Sequence, residues 1–212
     1  MEKKIGEIRE ELKAAEDNLL PDFIEKYSLD ERSGVQTLIA QAKKRIEKLE
    51  QEKARIEALK KYEKEYAGYG YICGIDEVGR GPLAGPVVAG AVILPPGCDI
   101  PGLDDSKKLT EKKREALYTL ITERAAAWAV ASVSAAEIDA TDILSARIRA
   151  MALAIEALTL RPDYVLIDGN RDHGKTAAIT LPHETVVGGD GRSVSIAAAS
   201  ILAKVTRDRY VT

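Results

Sequence analysis

Residues 74–81 read Gly-Ile-Asp-Glu-Val-Gly-Arg-Gly and follow the apolar Tyr-Ile-Cys. Two adjacent carboxylates, Asp76 and Glu77, thus stand where a buried strand is expected to end. A third acid, Asp168, closes the apolar run Tyr-Val-Leu-Ile-Asp, and a fourth, Asp190, follows Glu-Thr-Val-Val and two glycines. Alone, Asp76 or Asp168 reads as a turn or cap residue, and Glu77 as an exposed acid. Jointly they read as an all-oxygen cluster assembled from three segments. Such a cluster repels itself unless a cation neutralises it. Hard divalent ions, Mg²⁺ or Mn²⁺, suit oxygen ligands, and their chemistry at such sites is phosphoryl transfer or hydrolysis. The reading requires the acid-bearing strands to be neighbours. Gly79, Arg80 and Gly81 form a loop whose backbone N–H groups can approach a phosphate or a sugar hydroxyl closely. The competing reading is a plain tight turn.

The elements that must position these residues alternate. From Tyr69 onward, strands are expected at Tyr71–Asp76, Val87–Leu94, Ala127–Val133, Tyr164–Asp168 and Thr185–Val187. Helices are expected at Glu111–Ala126, Ala135–Asp139, Ile143–Leu160 and Ser195–Thr212, with Thr110 capping the first of them. Interleaved strands and helices imply an α/β fold, and open α/β sheets bind ligands beyond their strand ends.

Residues 1–68 differ from the rest. They hold 15 Lys+Arg and 16 Asp+Glu, nearly half of all the charges in a third of the chain, so they read as a separate helical region and 69–212 as the domain that carries the chemistry. A short helix near Lys4–Asn18 precedes a break at Pro21. A long helix starts near Ser33, with Val35, Leu38, Ala42, Leu49, Ile56 and Leu59 on one stripe. Arg45 and Glu52 interrupt that stripe, so a helical hairpin or small bundle is expected rather than an independent coiled coil. Gly-Tyr-Gly at 68–70 reads as a linker.

Net charge is −3 over 212 residues, which argues against a broadly basic nucleic-acid coat but leaves room for phosphate contacts beside a cation. No apolar run approaches the ~18 residues of a membrane span, and the charged start lacks the apolar stretch of a secretory signal. The only cysteines, Cys73 and Cys98, lie in apolar runs and read as small core residues. A cytoplasmic, monomeric protein without a disulfide framework is expected.

Four stretches resemble the ribonuclease HII family, the bacterial type 2 ribonucleases H. They are GIDEVGRGPLAGPVVAGAVILP, LDDSKKLTEKKRE, YVLIDGN and GGDGRSVSIAAASILAKVTRDR. The resemblance runs from Tyr71 to Thr212, and the N-terminal helices resemble an extension of some members. It implies a five-stranded mixed sheet flanked by helices. The implied activity is endonucleolytic cleavage of the RNA strand of RNA–DNA hybrids, and of DNA at single embedded ribonucleotides. By this resemblance Asp76, Glu77, Asp168 and Asp190 are the metal-binding catalytic acids, and Gly79, Arg80 and Gly81 read the 2′-OH at the RNA–DNA junction. Ser106, Lys107 and Lys108 lie near the substrate, where the lysines can hold phosphates. Arg192 stands where many members have lysine. Ser193 and Ser195 either bind backbone phosphate or cap the helix that follows. Lys204 and Arg207 either face nucleic acid or are surface charges, and His173 and His183 match no catalytic position. The family continues beyond its KVTRDR segment with a tyrosine near the junction ribose, so the resemblance implies a C-terminally shortened chain of reduced activity.

The implied mechanism uses two Mn²⁺ or Mg²⁺ ions about 3.5–4 Å apart, bridged by Asp76, and leaves 5′-phosphate and 3′-hydroxyl ends. Two alternatives stay open: a noncatalytic nucleic-acid binder on the same fold, and a different metal-dependent phosphotransferase.

Overall fold

The computed structural model describes residues 3–79, 85–170 and 178–211. Its contacts separate two compact units, Met1–Arg55 and Ile56–Thr212. The first contains α1 (Ile5–Ala14), α2 (Leu20–Tyr27, with Pro21 in its first turn) and most of α3 (Ser33–Leu59). Its core gathers Ile8, Leu12, Leu20, Phe23, Val35, Leu38 and Ala42. Glu11 ties its polar edge, accepting hydrogen bonds from Lys26 (2.5 Å), Lys3 (2.6 Å) and the Tyr27 hydroxyl (2.8 Å). The stripe expected along α3 is buried at Val35, Leu38 and Ala42 and again at Ile56 and Leu59, but Leu49 between them is exposed. That gap matches the interruption by Arg45 and Glu52. The long helix stops at Leu59 and resumes as α4 (Lys61–Glu65) after Lys60 leaves helical geometry (φ −80°, ψ 7°).

The second unit is a five-stranded mixed sheet: β1 (Ile72–Val78), β2 (Val87–Ile93), β3 (Ala127–Val133), β4 (Tyr164–Asp168) and β5 (His183–Val186). The order is β3-β2-β1-β4-β5. β1, β2 and β3 pair antiparallel, and β4 and β5 run parallel to β1. β1 continues two residues past the expected end at Asp76, because β2 keeps pairing with it through Glu77↔Ala89 and Val78↔Val88. Its ladder with β4 stops at Ile75↔Ile167. The acids thus lie inside the strand on one edge and at its end on the other.

Helices α5 (Glu111–Arg124), α6 (Ala135–Ala140), α7 (Ile143–Glu156) and α8 (Val194–Val211) flank the sheet. Side chains alternate across a strand. Cys73 and Ile75 therefore join Ile148 and Met151 of α7 on one face, while Gly74 turns to the other face, against α8. A Cβ on Gly74 would overlap the Ser195 and Ile196 backbone, and one on Gly90 would lie 2.5 Å from the Ala199 carbonyl oxygen. Only glycine allows α8 to lie this close to β1 and β2. The Ala-rich run 197–199 completes the contact and is fully buried.

Among the described residues, no helix is long and apolar enough to cross a membrane. Cys73 and Cys98 are unpaired thiols. Burial pushes the Cys73 thiol up to about 12, which leaves it an inert core residue as expected.

Candidate active site

The parallel pairing of β1 with β4 satisfies the condition on which the acid cluster depended. One residue beyond the Ile75↔Ile167 pair, Asp76 and Asp168 come side by side. Asp190 arrives from the 3-10 turn Gly189–Gly191 between β5 and α8. Carboxylate oxygens of Asp76, Asp168 and Asp190 lie within 4.8 Å of one another. The Gly189 N–H donates to Asp168 Oδ1 at 2.6 Å, locking the Asp190 turn onto the end of β4.

The electrostatics of Asp76 and Asp190 are those of an anion-rich pocket. Burial, then the charges of Asp168, Glu77 and Asp190, hold the Asp76 carboxyl well above the usual carboxylate range. Burial and then Asp168 also raise Asp190. Oxygen donors at this spacing, disfavoured as bare anions, fit a hard divalent cation.

Glu77 is not one of the three. As the next residue in the strand it points to the opposite face, where its Oε1 lies 2.8 Å from Nε of Arg147 on α7. Arg147 lies in none of the four family-like stretches. A signal for it exists: Ile143, Ala146, Ala150, Met151 and Ala154 form the apolar stripe of α7, and Arg147 falls on that stripe.

The remaining expected site residues divide by placement. Gly79 adopts φ 107°, and a Cβ there would lie 2.5 Å from the Pro86 carbonyl oxygen, so the position at the mouth of the loop admits glycine alone. Arg80 and Gly81 lie outside the described residues, as does His173. Lys107 Nζ stands 3.6 Å from Asp190 Oδ2, with most of its side chain in solvent. Burial works against its charge, but Asp190, Asp105, Asp76 and Asp168 together hold the ammonium above its ordinary value. Lys108 turns to Asp104 at 3.2 Å. Ser106 is buried, and its carbonyl accepts from Arg114. Lys204 pairs with Asp208 at 2.6 Å. Arg192 donates to the Val187 carbonyl and lies 5.4 Å from the Tyr62 ring centre.

Ser193 is fully buried. Its hydroxyl accepts from the Ile196 N–H at 3.2 Å, capping α8, and donates to Glu63 Oε1 at 2.5 Å. Ser195 donates to the same oxygen through N–H (3.0 Å) and hydroxyl (2.5 Å). The geometry of Ser193 matches the cap, while Ser195, inside the first turn of α8, gives its hydroxyl to Glu63. Nothing in the sequence marks Glu63 as their partner across 130 residues. Arg207 is buried rather than a surface charge, its Nε donating to the Pro86 carbonyl at 3.2 Å. His183 opens β5, two residues before the strand start expected at Thr185.

Known proteins match the chain along nearly its whole length. Residues 73–212 match the family model described as Ribonuclease HII, and residues 4–67 match the one described as Ribonuclease HII N-terminal domain. A Ribonuclease HII of Lachnoclostridium phytofermentans is 48% identical over 208 residues, covering 98% of this chain and 80% of that protein. A Ribonuclease HII of Geobacillus sp. (strain WCH70) is 46% identical over 209 residues, covering 98% and 73%. Among solved structures, the ribonuclease H2 from Pyrococcus horikoshii OT3 matches with a TM-score of 0.58 at 28% identity, over 66% of this chain and 74% of that one.

Proposed function

The chain belongs to the ribonuclease HII family and is an endoribonuclease of the ribonuclease H type, and from that premise we propose that it cuts the RNA strand of RNA–DNA hybrids and nicks DNA beside single embedded ribonucleotides. The observation that carries the proposal is the meeting of Asp76, Asp168 and Asp190 within 4.8 Å at the ends of parallel strands. These three acids would hold two Mn²⁺ or Mg²⁺ ions, with Glu77 backing them from the opposite face of β1 against Arg147. Such ions supply an activated water and neutralise the charge that develops on the leaving oxygen.

The chain's own residues do the rest. Asp76, Asp168 and Asp190 supply donors preset by the sheet, so little reorganisation is needed. Lys107 at the rim of the cluster, with Lys108, Arg192 and Lys204 on the nearby segments, offers charge to backbone phosphates. Gly79, Arg80 and Gly81 read the 2′-hydroxyl, the group that tells RNA from DNA. No side-chain nucleophile is required, and the products carry 5′-phosphate and 3′-hydroxyl ends. Residues 1–68 serve as a helical extension and 69–212 as the catalytic domain, acting as a monomer in the cytoplasm.

The test is cleavage of a duplex carrying one ribonucleotide within DNA, with Mn²⁺ or with EDTA, beside Asp76→Asn. A nick at the ribonucleotide that needs Mn²⁺ and disappears in the variant is the expected result. Failure of the wild-type chain to cut any hybrid substrate would overturn the proposal.

A further inference from the structure

Arg147 is 4% exposed and stands on the sheet-facing stripe of a helix whose other buried residues are Ala146, Ile148, Ala150, Met151 and Ala154. A guanidinium in such surroundings is costly unless its charge and N–H groups are matched. Two groups match it, and both belong to the acid site. Nε meets Glu77 Oε1 at 2.8 Å, with both side chains only 5% exposed. Nη2 donates to the backbone carbonyl of Asp168 at 2.6 Å. The contact with Glu77 is one of charge, since the Nε–H is not aligned with the oxygen.

We propose that Arg147 is a positioning residue of the acid site: one guanidinium holds the Glu77 carboxylate and the end of β4 at Asp168, and so sets the spacing at which the acids receive a cation. Two features of the geometry carry this. First, Glu77 and Asp168 stand on neighbouring strands beyond Ile75↔Ile167, the last pair of the β1–β4 ladder, where pairing between those strands no longer fixes their separation. Arg147 bridges that gap from α7. Second, the bridge needs a planar fork that reaches two acceptors from one buried stem, which arginine supplies and lysine does not. The guanidinium also sets one positive charge against Glu77, 2.8 Å from its Oε1, directly behind the acid cluster. Groups that orient metal ligands in this way typically change metal affinity or activity by about 10–100-fold when removed.

The inference rests on the reading of the acids as cation ligands, and its experiment separates the two. Mn²⁺ alone is titrated into the wild type, Arg147→Lys, Glu77→Gln and the double variant Glu77→Gln/Arg147→Met, with free Mn²⁺ followed by electron paramagnetic resonance. Thermal melting without metal reports whether each variant is folded. In the folded Arg147→Lys protein, Mn²⁺ binding is expected to weaken by about tenfold or more, with kcat reduced and KM for the hybrid unchanged. A folded Arg147→Lys with the wild-type isotherm and kcat overturns the inference and leaves the nuclease reading intact. Should Arg147→Lys fail to fold, the double variant, which carries neither buried charge, decides the matter. Weaker Mn²⁺ binding than Glu77→Gln alone upholds the link to Asp168, and equal binding overturns it. A wild-type chain that binds no Mn²⁺ removes the cation reading and this inference together.

Discussion

Adjacent residues can have opposite fates when a strand separates them by face. Asp76 and Glu77 are neighbours in sequence, yet one joins Asp168 and Asp190 while the other pairs with Arg147. Their substitutions should therefore differ. Asp76→Asn removes a donor from the cluster and a source of its repulsion. Cleavage should fall by several orders of magnitude, while metal-free melting at neutral pH should move upward; a downward shift would mean that Asp76 is stabilising as an anion. Glu77→Gln leaves the Arg147 charge buried without its counterion, which commonly costs ~3–5 kcal/mol. Urea unfolding at fixed pH, metal-free, measures both. Binding of Mn²⁺ should also release protons, because Asp76 is held above the ordinary carboxylate range and must ionise to act as a ligand. Calorimetry in two buffers of different ionisation enthalpy reads that release.

At the scale of elements, two helices carry the site's geometry. α7 begins at Asp142, whose Oδ1 accepts from the Leu144 and Ser145 N–H groups, each at 2.9 Å. Asp142→Ala should cost ~1 kcal/mol and loosen the turn that leads to Arg147. α8 lies on β1 and β2 through Gly74 and Gly90, with no room for a side chain at either. Gly74→Ala drives a methyl group into helix backbone, where a flexible side chain cannot yield. It should cost ~1–3 kcal/mol or more and lower kcat, since α8 follows directly from the turn that bears Asp190. Urea midpoints together with single-turnover cleavage rates check both substitutions.

At the scale of the molecule, the two units should answer pH with opposite signs. In the N-terminal unit, hydrogen bonds from Lys26 and Lys3 lower Glu11 to about 2. A folded-state value below the unfolded one stabilises the protein above the ordinary carboxylate range, and that contribution is lost as pH falls toward about 2. In the second unit, Asp76 and Asp190 are raised. The folded state there holds protons that the unfolded chain has released, so metal-free stability falls as pH rises from about 4 through the raised values. Stability curves across pH for the wild type, Glu11→Gln and Asp76→Asn test this. Glu11→Gln should flatten the acid limb and Asp76→Asn the neutral limb, and added Mn²⁺ should reverse the latter by binding the ionised cluster.

The division between what was legible in the chain and what was not follows from range. β3 and β4 were legible to the residue and the other strands to within two, because apolar patterning and turn residues are local signals. Asp76, Asp168 and Asp190 stood out because each follows an apolar run, and the GIDEVGRG and GGDGRSVSI stretches carry the family resemblance. The meeting of Asp76 with Asp168 was not, since it depends on β1 lying parallel to β4 across some ninety residues of chain. The separation of Glu77 from the other acids, the buried bridge of Arg147 and the capping of α8 by Ser193 with Glu63 were likewise decided only by tertiary packing. A sequence records which side chains can ionise or donate. Which of them share a desolvated space, and so must pair, is set by the sheet order and by how closely the helices approach it.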